Sequence, residues 1–92
     1  GYGGSCFPKD TRALVHLANS AGYDLKIVKS VVEVNERQHG VALDKVLELL
    51  GREIDGKVAG ILGLTFKPET SDLRESPAMW VASELIKLGV QL

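Results

Sequence analysis

The chain has 92 residues, 11 of them Lys or Arg and 12 Asp or Glu, for a formal net charge of −1. That length suits one small domain or two incomplete ones. The charge balance excludes the basic cluster of a nucleic-acid footprint, the single cysteine excludes an intrachain disulfide and fits a reducing, cytoplasmic compartment, and no apolar run approaches membrane-spanning length.

The first stretch, Gly1-Tyr2-Gly3-Gly4-Ser5-Cys6-Phe7-Pro8-Lys9-Asp10, puts the only cysteine after a run of glycines. Glycines let a ligand approach the main chain closely. Pro8 fits the first turn of a helix, where a missing N–H costs nothing. Cys6 is therefore expected where a loop becomes a helix, a position that favours anions, a thiolate among them. Lys9 adds positive charge, and Asp10 offers a carboxylate for proton transfer or for orienting a water. The plain alternative is a small buried hydrophobe, the commonest role of a lone cysteine. There is no signal-peptide pattern; the chain begins inside a motif without methionine and reads as a piece of a longer protein.

The spacing predicts a helix over about Phe7–Ala21, with Leu14, Leu17, Ala18 and Ala21 on one face and Gly22 as its stop. Asp24 is the expected N-cap of a longer helix, about Leu25–Leu50, ended by Gly51. Val28, Val32, Asn35, His39, Ala42, Val46 and Leu49 form a helix–helix seam. Ile27, Val31, Val34 and Val41 widen the apolar face beyond what one small neighbour covers, so this helix is expected to carry a homodimer interface. Asn35 and His39 are read as setting the register of helix pairing. His16 is assigned a surface or packing role without metal-ligand companions.

Arg52 to Gly56 is a polar joint and the expected domain boundary. Lys57–Leu64 reads as a buried parallel-type strand, without the G-x-G-x-x-G dinucleotide fingerprint. A polar loop follows to Glu75. Ser76-Pro77 starts a helix with Ser as N-cap and Pro at the first position, with Ala78, Val81, Ala82 and Leu85 buried and Gly89 as its end. Val90-Gln91-Leu92 opens another strand, and Trp80 is a core or interface aromatic. The expected architecture is mixed α and α/β: a helical domain over residues 1–56, then the opening β-α-β of a Rossmann-like parallel sheet over 57–92. In such sheets ligands bind beyond the carboxyl ends of the strands, where the 65–76 loop lies. Its Lys67 and Arg74 could meet phosphates, or the loop could be merely solvated.

Two strings carry a resemblance. Gly-Gly-Ser-Cys-Phe-Pro-Lys-Asp resembles the active-site segment of the nucleotide-sugar 6-dehydrogenases. Gly-Leu-Thr-Phe-Lys-Pro-Glu-Thr-Ser-Asp-Leu-Arg-Glu-Ser-Pro resembles the second signature of that family, which opens its C-terminal nucleotide-sugar domain. They stand in the family's order with a helical segment between, so the resemblance spans essentially the whole chain. Phe7 leans towards the UDP-glucose branch over the GDP-mannose branch. The resemblance implies an NAD-dependent oxidation of a UDP-sugar alcohol to the acid, with Cys6 as nucleophile through a thiohemiacetal and a thioester. It implies Asp10 as the aspartate that assists water or proton transfer. Cys6, Phe7, Pro8, Lys9 and Arg74 would line the NAD cofactor; Gly1, Tyr2, Gly3, Phe66 and Lys67 would contact the sugar nucleotide. It also implies a dimer through the long helix; no metal, nucleic acid or membrane is expected. The family's N-terminal NAD-binding domain and the lysine and asparagine of its upstream helix lie outside this chain, so the piece alone is expected to be inactive. Two alternatives stand beside this reading: a sister dehydrogenase such as one for GDP-mannose, and a non-catalytic helical dimerisation module whose cysteine is structural.

Overall fold

Helix α1, Phe7–Ser20, begins with Pro8 in its first turn, where no hydrogen bond is lost. It closes in a Schellman turn: the Gly22 N–H donates to the Asn19 carbonyl at 3.0 Å and the Tyr23 N–H to the Ala18 carbonyl at 2.8 Å. Helix α2, Lys26–Leu50, starts at Leu25 with no side-chain cap. The expected Asp24 cap is therefore corrected. Asp24 stands one residue too early, and its carboxylate instead accepts from Lys29 Nζ at 2.6 Å. The α2 C-terminus is closed by the Gly51 N–H, which donates to the Leu47 carbonyl at 2.9 Å, and by the Lys57 ammonium, which donates to the Leu50 carbonyl.

Helix α3, Pro77–Lys87, has Ser76 as N-cap, as its Ser-Pro start predicts. The Ser76 hydroxyl accepts from the Met79 N–H at 3.4 Å and donates to the Leu64 carbonyl at 2.7 Å. A second Schellman turn ends α3, with the Val90 N–H donating to the Leu85 carbonyl at 3.0 Å. This turn needs positive φ at Gly89, which is 85°, and Gly89 lies so close to Asp55 that a side chain there would collide. Leu85 and Val90, the two ends of the turn, are both buried, which is the apolar contact that accompanies this motif.

These elements come from a computed structural model, which describes residues 1–51 and 53–92. The expected joint Arg52–Gly56 thus includes one residue, Arg52, outside the described ones. Helix α2 packs against both α1 and α3. The result is a slab of 50 × 30 × 17 Å. Packed helices lie roughly 8–10 Å apart, so the slab is at most two helices thick and few side chains can be covered from every direction. Among the described residues, the buried aliphatic side chains are accordingly Ala82, Leu85 and Val90 at the α3 end, with Pro8 buried at the start of α1.

Three expectations are corrected here. Among the described residues no strand forms; the predicted Lys57–Leu64 strand is reduced to one parallel bridge, Val58 with Gln91. Two hydrogen bonds hold it, Ala59 N–H to the Gln91 carbonyl at 2.8 Å and Gln91 N–H to the Lys57 carbonyl at 2.7 Å. The segment is not buried either, since Val58 is 73 % and Leu62 101 % exposed. A parallel strand needs neighbours on its ladder and covered faces, and among the described residues the partner is Gln91 alone. Helix α1 is rotated relative to its predicted face. Pro8, Thr11, Val15 and Ala18 are the more covered positions, whereas Leu14, Leu17 and Ala21 are exposed. In α2 the seam holds for Val28, Val32, Asn35, His39 and Val46, but Ala42 and Leu49 are exposed. Among the described residues no helix is long and apolar enough to cross a membrane.

Candidate functional site

Asn35, the one buried residue of α2, sets the path of the glycine-rich segment. Its Oδ1 accepts from the Tyr2 N–H at 2.6 Å, and its Nδ2 donates to the Tyr2 carbonyl at 3.1 Å. The assigned role of Asn35 in helix pairing is therefore corrected: it reads the Tyr2 backbone as a neighbouring strand would. The Tyr2 ring meets Phe7 edge-on, with centroids 4.5 Å apart, and the Tyr2 hydroxyl shares a 3.3 Å hydrogen bond with Thr11 Oγ1. So the loop before Cys6 is tied to α2 through its backbone and to α1 through its ring.

Past Tyr2, the segment packs on the 65–76 loop. The Gly4 N–H donates to the Arg74 carbonyl at 2.9 Å. Gly4 has φ of 91° and sits against the Phe66 ring, which a Cβ would approach to 2.8 Å. Gly3 lies against the Glu75 backbone, where a Cβ would meet the carbonyl oxygen. Glycine is thus required by close approach at both positions. An ion pair backs this contact: Arg12 of α1 donates to both carboxylate oxygens of Glu75, at 3.2 and 3.4 Å, and lies 3.8 Å from Glu36 of α2.

Cys6 is the exposed N-cap of α1, with its sulfur 3.7 Å from Ser5 Oγ. Its carbonyl accepts the Asp10 N–H at 2.8 Å, which sets Asp10 one turn further along the helix. The Lys9 ammonium donates to Asp10 Oδ1 at 2.5 Å. That hydrogen bond is the main cause that raises the Lys9 pKa, with Coulombic attraction to Asp10 next and a smaller pull from Cys6. Both groups are exposed, so the pair adds little to stability.

The 65–76 loop is organised from within, rather than merely solvated. Arg74 clasps Asp72, with Nε to Oδ1 and Nη2 to Oδ2 both at 2.9 Å. The Asp72 Oδ1 also accepts the Arg74 backbone N–H at 2.9 Å. The Arg74 hydrogen bond chiefly holds the Asp72 carboxyl below its usual range, and Asp72 chiefly raises the guanidinium pKa. Cys6 is among the weaker charges acting on Arg74. Phe66 is half-buried and donates its N–H to the Asp72 carbonyl at 3.1 Å, while Lys67 is exposed with Nζ 5.4 Å from the Phe66 ring centre.

Gly4, Ser5, Lys9, Arg74 and Glu75 line one open cleft of about 330 Å³. The fold thus brings two cations from the two separate motifs to one surface, beside Cys6. Of the predicted cofactor residues, Pro8 is buried in the first turn of α1 and Phe7 faces Tyr2, while Lys9 and Arg74 line this cleft. Gly1 and Tyr2 instead line a wider apolar groove along α2, of about 630 Å³, with Ile27, Val31, Val34 and Asn35. Arg12, Glu36 and Glu75 were not among the expected site residues. The only sequence signal for them is one positive and two negative charges spread over distant segments, which no local pattern connects.

The description of the UDP-glucose/GDP-mannose dehydrogenase family, central domain, matches residues 1–37. The UDP binding domain of the same family matches residues 60–92. The chain belongs to the UDP-glucose/GDP-mannose dehydrogenase family. Among curated relatives, it is 47 % identical over all 92 residues to a UDP-glucose 6-dehydrogenase of Bacillus subtilis, covering 21 % of that protein. It is 42 % identical over its whole length to a UDP-glucose 6-dehydrogenase of Pseudomonas aeruginosa, covering 20 % of it. The chain therefore spans about a fifth of the length of the curated relatives it matches. Among solved structures, it matches a UDP-glucose dehydrogenase from the archaeon Pyrobaculum islandicum with TM-score 0.91 and 44 % identity, over 98 % of this chain and 21 % of that one. It matches a ternary complex of GDP-mannose dehydrogenase from Pseudomonas aeruginosa with TM-score 0.85 and 39 % identity, over 97 % of this chain and 19 % of that one. Within this dehydrogenase family, the two matched regions are the two segments whose contact forms the cleft.

Proposed function

We propose that this chain is the catalytic-cysteine segment of an NAD-dependent UDP-glucose 6-dehydrogenase, which oxidises UDP-glucose to UDP-glucuronate. One observation carries the reading: the Gly4 to Arg74 hydrogen bond joins the two motifs beside an exposed Cys6. A structural cysteine would be buried; this one is open to a substrate. The identity of 40–47 % to relatives named UDP-glucose 6-dehydrogenase supports the UDP-glucose branch.

In this reading, the Cys6 sulfur adds to the carbonyl carbon of a sugar aldehyde, and the thiol proton leaves. After the second oxidation the sugar is held as a thioester on Cys6. Water breaks that C–S bond, releasing the acid and returning the thiol. Asp10, one helical turn from Cys6, accepts or relays the proton of that water. Lys9 and Arg74 would hold the cofactor's anionic part. The cleft fits that role, because Arg74 spends Nε and Nη2 on Asp72 and its Nη1 has no protein acceptor among the described residues. When bound, NAD supplies the hydride acceptor for both oxidations. Gly1, Tyr2, Gly3, Phe66 and Lys67 are assigned to the sugar nucleotide. The boundary between helical and nucleotide-sugar domains falls at residues 56 and 57. The parent enzyme is a homodimer through α2.

The test is an assay of the full-length parent with NAD and either UDP-glucose or GDP-mannose, run beside Cys6→Ser. Acid should form from UDP-glucose, and Cys6→Ser should lower it more than about a thousandfold while sugar-nucleotide binding persists. Turnover of GDP-mannose alone would transfer the protein to the sister branch. Near-wild-type turnover in Cys6→Ser would remove the nucleophile assignment.

A further inference from the structure

We infer that Asn35 is a positioning residue for the Cys6 nucleophile, acting from α2 through the backbone of Tyr2; the inference rests on the proposed function. Asn35 is only 8 % exposed, and its amide is matched at both ends by main chain, 2.6 Å to the Tyr2 N–H and 3.1 Å to the Tyr2 carbonyl. An amide is the side chain that can accept and donate at once from one planar group. Alanine leaves two part-buried main-chain groups without their protein partner, and aspartate keeps the acceptor but puts a second acceptor against the carbonyl.

Tyr2 is where this restraint divides. On one side its ring rests on Phe7 and its hydroxyl on Thr11, the start of the helix that Cys6 caps. On the other side Gly3 and Gly4 pack against Glu75, Phe66 and Arg74. A shift of Tyr2 therefore moves Cys6 relative to Arg74 while the three helices stay packed. The side chain of Asn35 touches neither Cys6 nor the cleft that Lys9 and Arg74 line, so any effect on the thiol is transmitted by Tyr2. A displacement of about 1 Å can cost roughly a hundredfold in rate.

The chemistry gives this role its own readout. The first oxidation turns alcohol to aldehyde, transfers one hydride to NAD and does not use the sulfur. The second needs the sulfur bonded to the aldehyde carbon. A misplaced Cys6 lets aldehyde escape after the first step, so NADH formed per acid exceeds the normal two. A merely structural loss lowers the amount of active enzyme and leaves the ratio at two.

The experiment uses the full-length parent with Asn35→Ala and the isosteric Asn35→Asp. Acid, NADH and aldehyde trapped by a hydrazine are measured, together with the iodoacetamide alkylation rate of the Cys6 peptide by mass spectrometry. At least one variant should release trapped aldehyde, show a ratio above two, lose about tenfold or more in acid formation and change the Cys6 alkylation rate by about threefold or more. Soluble variants that both keep a ratio of two and the wild-type alkylation rate overturn the inference. The alkylation arm does not depend on substrate, so it still decides if the parent makes no acid, a result that would count against the proposed function alone.

Discussion

His39 of α2 shows how burial, rather than residue type, decides a side chain's behaviour. Its ring lies 5.5 Å from that of Trp80 on α3, and its Nε2 is buried without a hydrogen-bond partner among the described residues. Burial is the main cause that lowers its pKa from 6.5, and Glu75 and Glu36 pull the other way. The neutral ring is the folded form. Unfolded chains take up the proton first, so stability is full above the unfolded value and falls as pH drops through about 6.5 towards the folded value. The denaturant midpoint of the chain should therefore decrease between about pH 7.5 and about pH 5.5. His39→Phe keeps an aromatic on Trp80 and should flatten that slope. An equal slope in both proteins would assign the acid sensitivity elsewhere.

At the scale of elements, the joint between the 65–76 loop and α3 rests on Ser76. This residue is 4 % exposed and works in both directions, as a cap for Met79 and as a donor to Leu64. Helix α3 contributes the buried Ala82 and Leu85, so loosening its first turn reaches the core directly. Ser76→Ala should destabilise the chain by about 1–2 kcal/mol, read as a lower urea midpoint with an unchanged slope. Ser76→Asp keeps the cap but not the donor to Leu64, so it should recover only part of that loss. Full recovery would show that the helix cap alone matters. The contrast with α2 is instructive. That helix has no side-chain cap at its start and must be held by packing against α1 and α3.

At the scale of the whole molecule, a slab 17 Å thick leaves a broad apolar surface. Ile27 is 79 %, Val31 41 % and Val34 48 % exposed along one side of α2, where they form the wall of the larger groove. Val32, on the neighbouring side, faces α1 instead. A charge placed at Val31 therefore tests assembly without disturbing the packing of the slab. Light scattering on the full-length parent should give a dimer for wild type, and Val31→Asp should weaken dimerisation by at least about tenfold, since one buried valine is worth about 1.5–3 kcal/mol. A monomeric wild type, or a dimer indifferent to the new charge, would place the subunit contact on another face.

The sequence by itself determined the three helices and most of their ends. Those are local matters: Pro8 and Pro77 at first turns, Ser76 as a cap, and Gly22, Gly51 and Gly89 just past the last turns all act through hydrogen bonds within a few residues. It also singled out the two motifs to which the chemistry is proposed to belong, because each is a contiguous run. The tertiary structure alone decided how these motifs meet. Arg12 and Glu75 are far apart in the chain, as are Asn35 and Tyr2, and no periodicity links such pairs. Asn35 stood out as a polar residue in an apolar seam, yet its partner was a backbone, which has no sequence signature. The strand at Lys57–Leu64 failed for the same reason in reverse. Its apolar run was legible, but a strand exists only where neighbours complete its ladder, and here one residue, Gln91, supplies the bridge.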